Sequence, residues 1–115
     1  MSKPVIWHNA QCSKSRQTLE LLRANGHDPE IVEYKTNPPS VVEILSVLTM
    51  LGMDARELMR KGEGIYKELN LATETDDKTL VKAMHEHPIL IERPVVINGE
   101  KASIGRPPES VLEIF

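Results

Sequence analysis

The chain has 115 residues, 40% of them apolar and 27% charged, with a formal net charge of −3. A chain of this length buries roughly two-thirds of its unfolded surface and needs no staples, so residues 1–115 are expected to form a single domain. The acidic balance speaks against general nucleic-acid binding, no apolar run approaches the ~20 residues of a membrane span, and the opening MSKPVIWHN has neither a long apolar core nor a small-residue cleavage site. A cytoplasmic protein is expected. One cysteine, Cys12, excludes an internal disulfide and the cysteine-rich zinc modules.

The short apolar run 3–7 (KPVIW) predicts a strand, and the polar stretch HNAQ leads from it to a helix beginning near Ser13. Leu19, Leu21 and Leu22 give that helix an apolar side, and Asn25-Gly26 ends it. Residues 30–34 (EIVEY) read as a second strand, parallel to the first if the helix is a crossover. Asn37-Pro38-Pro39 breaks the chain, and Ser40 with Glu43 forms the capping box of a helix from about Val41 to Leu51. Shorter helical pieces are predicted over 55–60 and 64–69, and a helix starting at Asp76 or Asp77 runs to about His85. Residues 94–98 and 101–104 are two strands joined at Asn98-Gly99, a strong hairpin signal. Pro107-Pro108 opens a last helix, 108–114. The order is β-α-β, a helical block, β-β, α, which fits an α/β fold with a sheet of about four strands covered by helices.

Cys12 falls between the first strand and the first helix. A free cysteine is often a small buried hydrophobe, but Gln11, Ser13, Lys14, Ser15 and Arg16 are all polar, so a core position among them is improbable. A helix start offers unpaired N–H groups and roughly half a positive charge, which stabilise a thiolate and equally hold an oxyanion. Lys14 and Arg16 add charge, and Ser13 and Ser15 add hydroxyls that can donate to either. The pair His85 and His87 invites a metal reading, but it lies at a helix end with no cysteine or carboxylate set to complete it, so no metal is expected.

The segment HNAQCSKSRQTLELL resembles the active-site segment of the glutaredoxin-coupled arsenate reductase family, in which a histidine-asparagine pair precedes the catalytic cysteine. The similarity continues through TNPPS, LMRKGE and HPILIERPVVINGEKASIGRP to the closing helix, and so spans nearly the whole chain. It implies a thioredoxin-like mixed sheet with an inserted helical block. It implies Cys12 as nucleophile, and Arg60 (LMRKG), Arg93 (IERPVV) and Arg106 (IGRPPE) as the arginines that bind substrate. Planar guanidinium forks suit that task because they stay charged and grip an oxyanion bidentately. Arg16, Arg23 and Arg56 match no such motif and read as surface charges. His8 carries two readings, a helper of the thiolate by resemblance or a strand-end residue bonded to backbone. Asn9 shapes the loop, Ser15 supports it, and Pro94 takes the place of the cis-proline that thioredoxin-like folds set beside the active cysteine. One departure is Ala10, where many family members have proline.

The resemblance further implies that the Cys12 thiolate attacks arsenate, that water leaves, and that glutathione, a co-substrate rather than a bound cofactor, attacks next. Glutaredoxin then restores the enzyme with release of arsenite. Two other readings of the same scaffold are a glutathione-linked thiol oxidoreductase with a different substrate, and a non-enzymatic regulator bound to RNA polymerase. The regulator commonly uses a CxxC redox pair, and Ser15 stands at its fourth position here.

Overall fold

Residues 3–92 and 94–115 are described by the computed structural model. The first strand, β1, is Val5–His8, and helix α1 is Ser13–Ala24. Strand β2, Glu30–Glu33, pairs parallel to β1 with Val5 opposite Glu30 and His8 opposite Glu33. Strands β3, Val95–Asn98, and β4, Lys101–Ile104, form an antiparallel hairpin. β3 in turn lies antiparallel to β1. The sheet order is therefore β2-β1-β3-β4, mixed and four-stranded, with the thioredoxin-like arrangement of a parallel βαβ unit followed by a hairpin and a terminal helix.

The alternation of side chains along a strand decides what this sheet offers α1. Ile6 and Val96 are register partners, and they share a buried cluster with Leu19, Leu22 and Val111. His8, two residues on from Ile6, projects to that same side. The final segment, Pro108–Ile114, is a 3-10 helix rather than the α-helix that its opening prolines suggest. It is tied down from the strands, with Asn98 Nδ2 donating to Ile114 O at 2.6 Å and Ser103 Oγ donating to Ser110 O at 3.2 Å. The hairpin closes where the expected strands, 94–98 and 101–104, place it. Asn98 pairs with Lys101, so Gly99 at φ +62 is the first central residue of a two-residue turn, where a type II′ turn demands glycine.

Residues 38–92 form a second compact unit, inserted between β2 and β3 in the chain. Its longest helix, α2 (Val41–Leu51), has the full capping box: Glu43 N donates to Ser40 Oγ at 3.1 Å and Ser40 N to Glu43 Oε1 at 2.9 Å. Helix α3 is Gly64–Glu68, and helix α4 is Asp77–Glu86, with Asp76 as N-cap accepting from Lys78 N at 3.1 Å. The helix predicted over 55–60 is only a 3-10 turn, Arg56–Leu58. Tertiary pairing stops it: Met59 bridges to Ile91, and Arg60 N donates to Leu90 O at 2.7 Å. Arg56, predicted to be a surface charge, is half-buried, donating to Tyr66 OH at 2.9 Å, Leu71 O at 2.7 Å and Glu74 O. It braces this unit. No helix among the described residues is long and apolar enough to cross a membrane.

Candidate active site around Cys12

Cys12 is the N-cap residue of α1 and is partly exposed. It accepts the first helical bond, from Arg16 N to Cys12 O at 3.0 Å, while its own N–H donates back to Asn9 O at 3.0 Å. The Cys12 side chain makes no capping hydrogen bond to α1, so the helix acts on it through the field of its first unpaired amides. A sulfur anion here meets the positive end of α1. From the far end of the hairpin, Arg106 brings its Nη2 to 3.9 Å from Cys12 Sγ across a separation of 94 residues. A nucleophile and a guanidinium are thus juxtaposed within the first unit.

The loop behind Cys12 is cross-braced. Asn9 is buried; its N–H donates to Ser15 Oγ at 3.0 Å, and its Oδ1 accepts from Gln11 N at 3.0 Å. Ser15 Oγ lies 2.7 Å from His8 Nδ1. This corrects the expectation that Ser15 offers its hydroxyl to the thiolate or an oxyanion. Its hydroxyl is fully buried, accepts from Asn9 N–H and is bonded to the His8 ring, so it joins strand to helix beneath the loop. His8 is bonded through Nδ1 to a side chain, rather than to the backbone as one of the two readings of the sequence had it. Arg16 is exposed, as expected of a surface charge, and its Nη1 donates to Ala10 O at 2.7 Å. Ala10, where the resemblance leads one to expect a proline, thus has its carbonyl held by a guanidinium. The missing proline was the only sequence signal that could have pointed to this role.

Burial lowers the pKa of His8 from its ordinary value, Arg23 and Arg16 push the same way, and Glu33 opposes them. Burial thus favours the neutral form of the His8 imidazole. The consequence for stability has a definite sign. The unfolded chain binds the His8 proton more readily than the folded chain does, so stability falls as pH drops below the ordinary histidine value of ~6.5. We expect the melting temperature of His8→Asn to fall less between pH 7 and pH 5.5 than that of the parent chain. Equal losses would contradict this assignment.

Gly105 sets the position of Arg106. A Cβ at Gly105 would lie 2.4 Å from Thr18 Oγ1 and 2.8 Å from Pro94 Cγ. Neither neighbour gives way easily, since Thr18 is buried and donates to Lys14 O at 2.7 Å within α1, and the proline ring is stiff. Gly105 N also donates to Pro94 O at 2.9 Å, which fixes the backbone on both sides. Gly105→Ala is expected to cost about 1–3 kcal/mol by overpacking and to shift Arg106 off Cys12. A denaturant midpoint and a Cys12 alkylation rate both equal to those of the parent chain would disprove it.

Arg60 belongs to the second unit, where its Nε lies 3.6 Å from Glu63 Oε2 and its Nη1 3.5 Å from Glu92 Oε1. Arg93, and with it the predicted cis Arg93-Pro94 bond, lies outside the described residues. The described chain has a cis bond at Arg106-Pro107. His85 Nδ1 lies 2.8 Å from Pro39 O, a structural tie, and no group of three or more His, Cys, Asp or Glu side chains among the described residues could hold a metal ion.

The uncharacterized protein YfgD of Escherichia coli K12 is 52% identical to this chain, over 99% of this chain and 98% of its own length. A Haemophilus influenzae protein named arsenate reductase is 51% identical, over 96% and 97% respectively. The solved structure of an arsenate reductase from Vibrio cholerae superposes with a TM-score of 0.95 at 48% identity, covering 98% of each chain. The ArsC family model matches residues 7–114, and with relatives this similar over their full length the chain belongs to the ArsC family.

Proposed function

We propose that this protein reduces arsenate to arsenite through an adduct on Cys12, with electrons supplied by glutathione and a glutaredoxin. The observation that carries the reading is the approach of Arg106 Nη2 to Cys12 Sγ, 3.9 Å, at the N-cap of α1. Family membership supports it, as does the arsenate reductase of Haemophilus influenzae at 51% identity.

The chemistry follows from the residues. A thiol is a weak nucleophile at its free pKa of ~8.5, and the helix start together with Arg106 favours the thiolate. The same positive groups hold an oxyanion in front of the sulfur. Cys12 thiolate attacks arsenic(V), an oxygen leaves as water, and an S–As bond forms. A glutathione thiolate then attacks Cys12 Sγ. The S–As bond breaks, its electron pair passes to arsenic, and arsenite departs as arsenic(III), leaving a Cys12–glutathione disulfide. Glutaredoxin takes up the glutathionyl group and returns the Cys12 thiolate. The chain has no second cysteine to do this internally, so an external thiol is obligatory. No bound cofactor enters the scheme.

Arg60 and Arg93 are assigned to the oxyanion by the family motif. The charge of Arg60 is already partly balanced by Glu63 and Glu92. Arsenite formation followed with glutathione and glutaredoxin, each omitted in turn, tests the coupling. Turnover is expected to need glutathione and to fall steeply without glutaredoxin. Equal turnover with a dithiol-only donor such as thioredoxin would contradict it.

A further inference from the structure

A cleft of about 250 Å³ borders the Cys12 loop, lined by Asn9, Ala10 and Gln11 on one side and by Glu33, Lys35 and Thr36 on the other. It is small beside the ~300–1,000 Å³ typical of ligand sites, and suits a short flexible molecule rather than a ring system. Both walls are ordered before anything binds. On the loop side, Gln11 N and Cys12 N are held by Asn9 and the carbonyl of Ala10 by Arg16. On the other side, the turn after β2 is closed by three bonds to Glu33 O, from Thr36 N at 3.0 Å, Asn37 N at 2.8 Å and Thr36 Oγ1 at 3.1 Å. Preordered walls reduce the entropy lost on binding.

The charges are arranged for a zwitterion. Lys35 and Glu33 stand two residues apart at one rim, and neither has an ion-pair partner among the described residues. Asn9 spends its Oδ1 on Gln11 N, which leaves its amide hydrogens for an occupant. An occupant with a carboxylate and an ammonium finds a partner for each. Position adds the rest: Gln11 lines the cleft, and its Cα is only ~3.8 Å from that of Cys12 across one peptide bond.

We infer that this cleft is the docking site of the reducing co-substrate, a small peptide thiol carrying both carboxylate and ammonium groups, with Lys35 gripping a carboxylate and Glu33 the ammonium. The inference rests on the thiol-coupled reading above, since only that reading requires a second molecule to reach Cys12 Sγ. It assigns Lys35 and Glu33 to specificity for the reductant, separate from arsenate binding at Arg106.

The test uses S-methylglutathione, which cannot react with Cys12, titrated into the isotope-labelled protein by NMR. Amide shifts are expected at Gln11, Lys35 and Thr36, and Lys35→Glu is expected to weaken binding roughly tenfold, the loss of one charge-assisted contact. The N-acetyl amide of S-methylcysteine, which carries neither a carboxylate nor an ammonium, should bind the variant and the parent chain equally. Lys35→Gln guards against misfolding of the charge reversal and is expected to give a smaller loss in the same direction. Shifts confined to other residues, or equal affinity for the parent chain and both variants, would overturn the inference, as would a surface that answers only to glutaredoxin. Protection of Cys12 from alkylation by arsenate is measured in parallel on Lys35→Glu. If S-methylglutathione binds as expected and arsenate gives no protection, the docking site stands and the arsenate reading fails. If arsenate protects and the cleft stays empty, the reverse holds.

Discussion

Cys12→Ser is expected to lower arsenate reduction by roughly 10³-fold or more, to the level of the uncatalysed thiol reaction. The size follows from the sulfur's role. A helix start and one guanidinium can bring a thiol of pKa ~8.5 into the physiological range, but they cannot ionise an alcohol. Serine also cannot form a disulfide with glutathione, so both halves of the cycle are blocked at one atom. No other cysteine exists to take over. Arsenate binding should persist weakly in the variant, because Arg106 and the amides of α1 are untouched. Arsenite formation by coupled assay and arsenate binding by calorimetry check the two halves separately. Retained turnover would refute the scheme.

Arg106→Ala is expected to reduce kcat/KM for arsenate by about 10²-fold, in the range seen when one oxyanion-binding group is removed. Two effects contribute, and their sizes separate them. At 3.9 Å from Cys12 Sγ, a charge on an exposed arginine is worth about 1 kcal/mol in a water-like dielectric. By itself that shifts the thiol titration by less than about one unit and the rate by less than about tenfold. The remainder must come from the grip on the oxyanion. Arg106→Lys separates the parts, since it keeps the charge and loses the planar fork. It is expected to restore the thiol titration while recovering only part of kcat/KM. An alkylation profile unchanged in Arg106→Ala would show that Arg106 does not act on the sulfur.

Local chemistry was legible in the sequence wherever neighbours along the chain decide the outcome. The Ser40–Glu43 capping box, the βαβ opening and the hairpin at Gly99 all appear as read, within a residue or two. What could not be read depends on partners far away in the chain. His8 belongs to β1 because Glu33 pairs with it across the sheet, and the turn at Arg56–Leu58 stays short because Ile91 captures Met59. Arg56 looked like a surface charge because its acceptors, Tyr66, Leu71 and Glu74, stand ten to eighteen positions away.

At the site, the polar run around Cys12 read correctly as a loop and helix start, and misled about Ser15. A polar residue in a polar run can still turn inward, and Ser15 is fully buried against His8. The approach of Arg106 to Cys12 was legible only through resemblance, since nothing local links residues 94 positions apart. The cleft walls escaped notice for the same reason. The turn after β2 meets the Cys12 loop only because β2 lies parallel to β1.

The claim on which the rest depends is that Cys12 is a thiolate facing an oxyanion site. Its alkylation rate by iodoacetamide, followed against pH with and without arsenate, tests this most directly. The expected result is a midpoint well below the ~8.5 of a free thiol and a marked slowing by arsenate near neutral pH. A midpoint at or above that value, with arsenate leaving the rate unchanged, would contradict it.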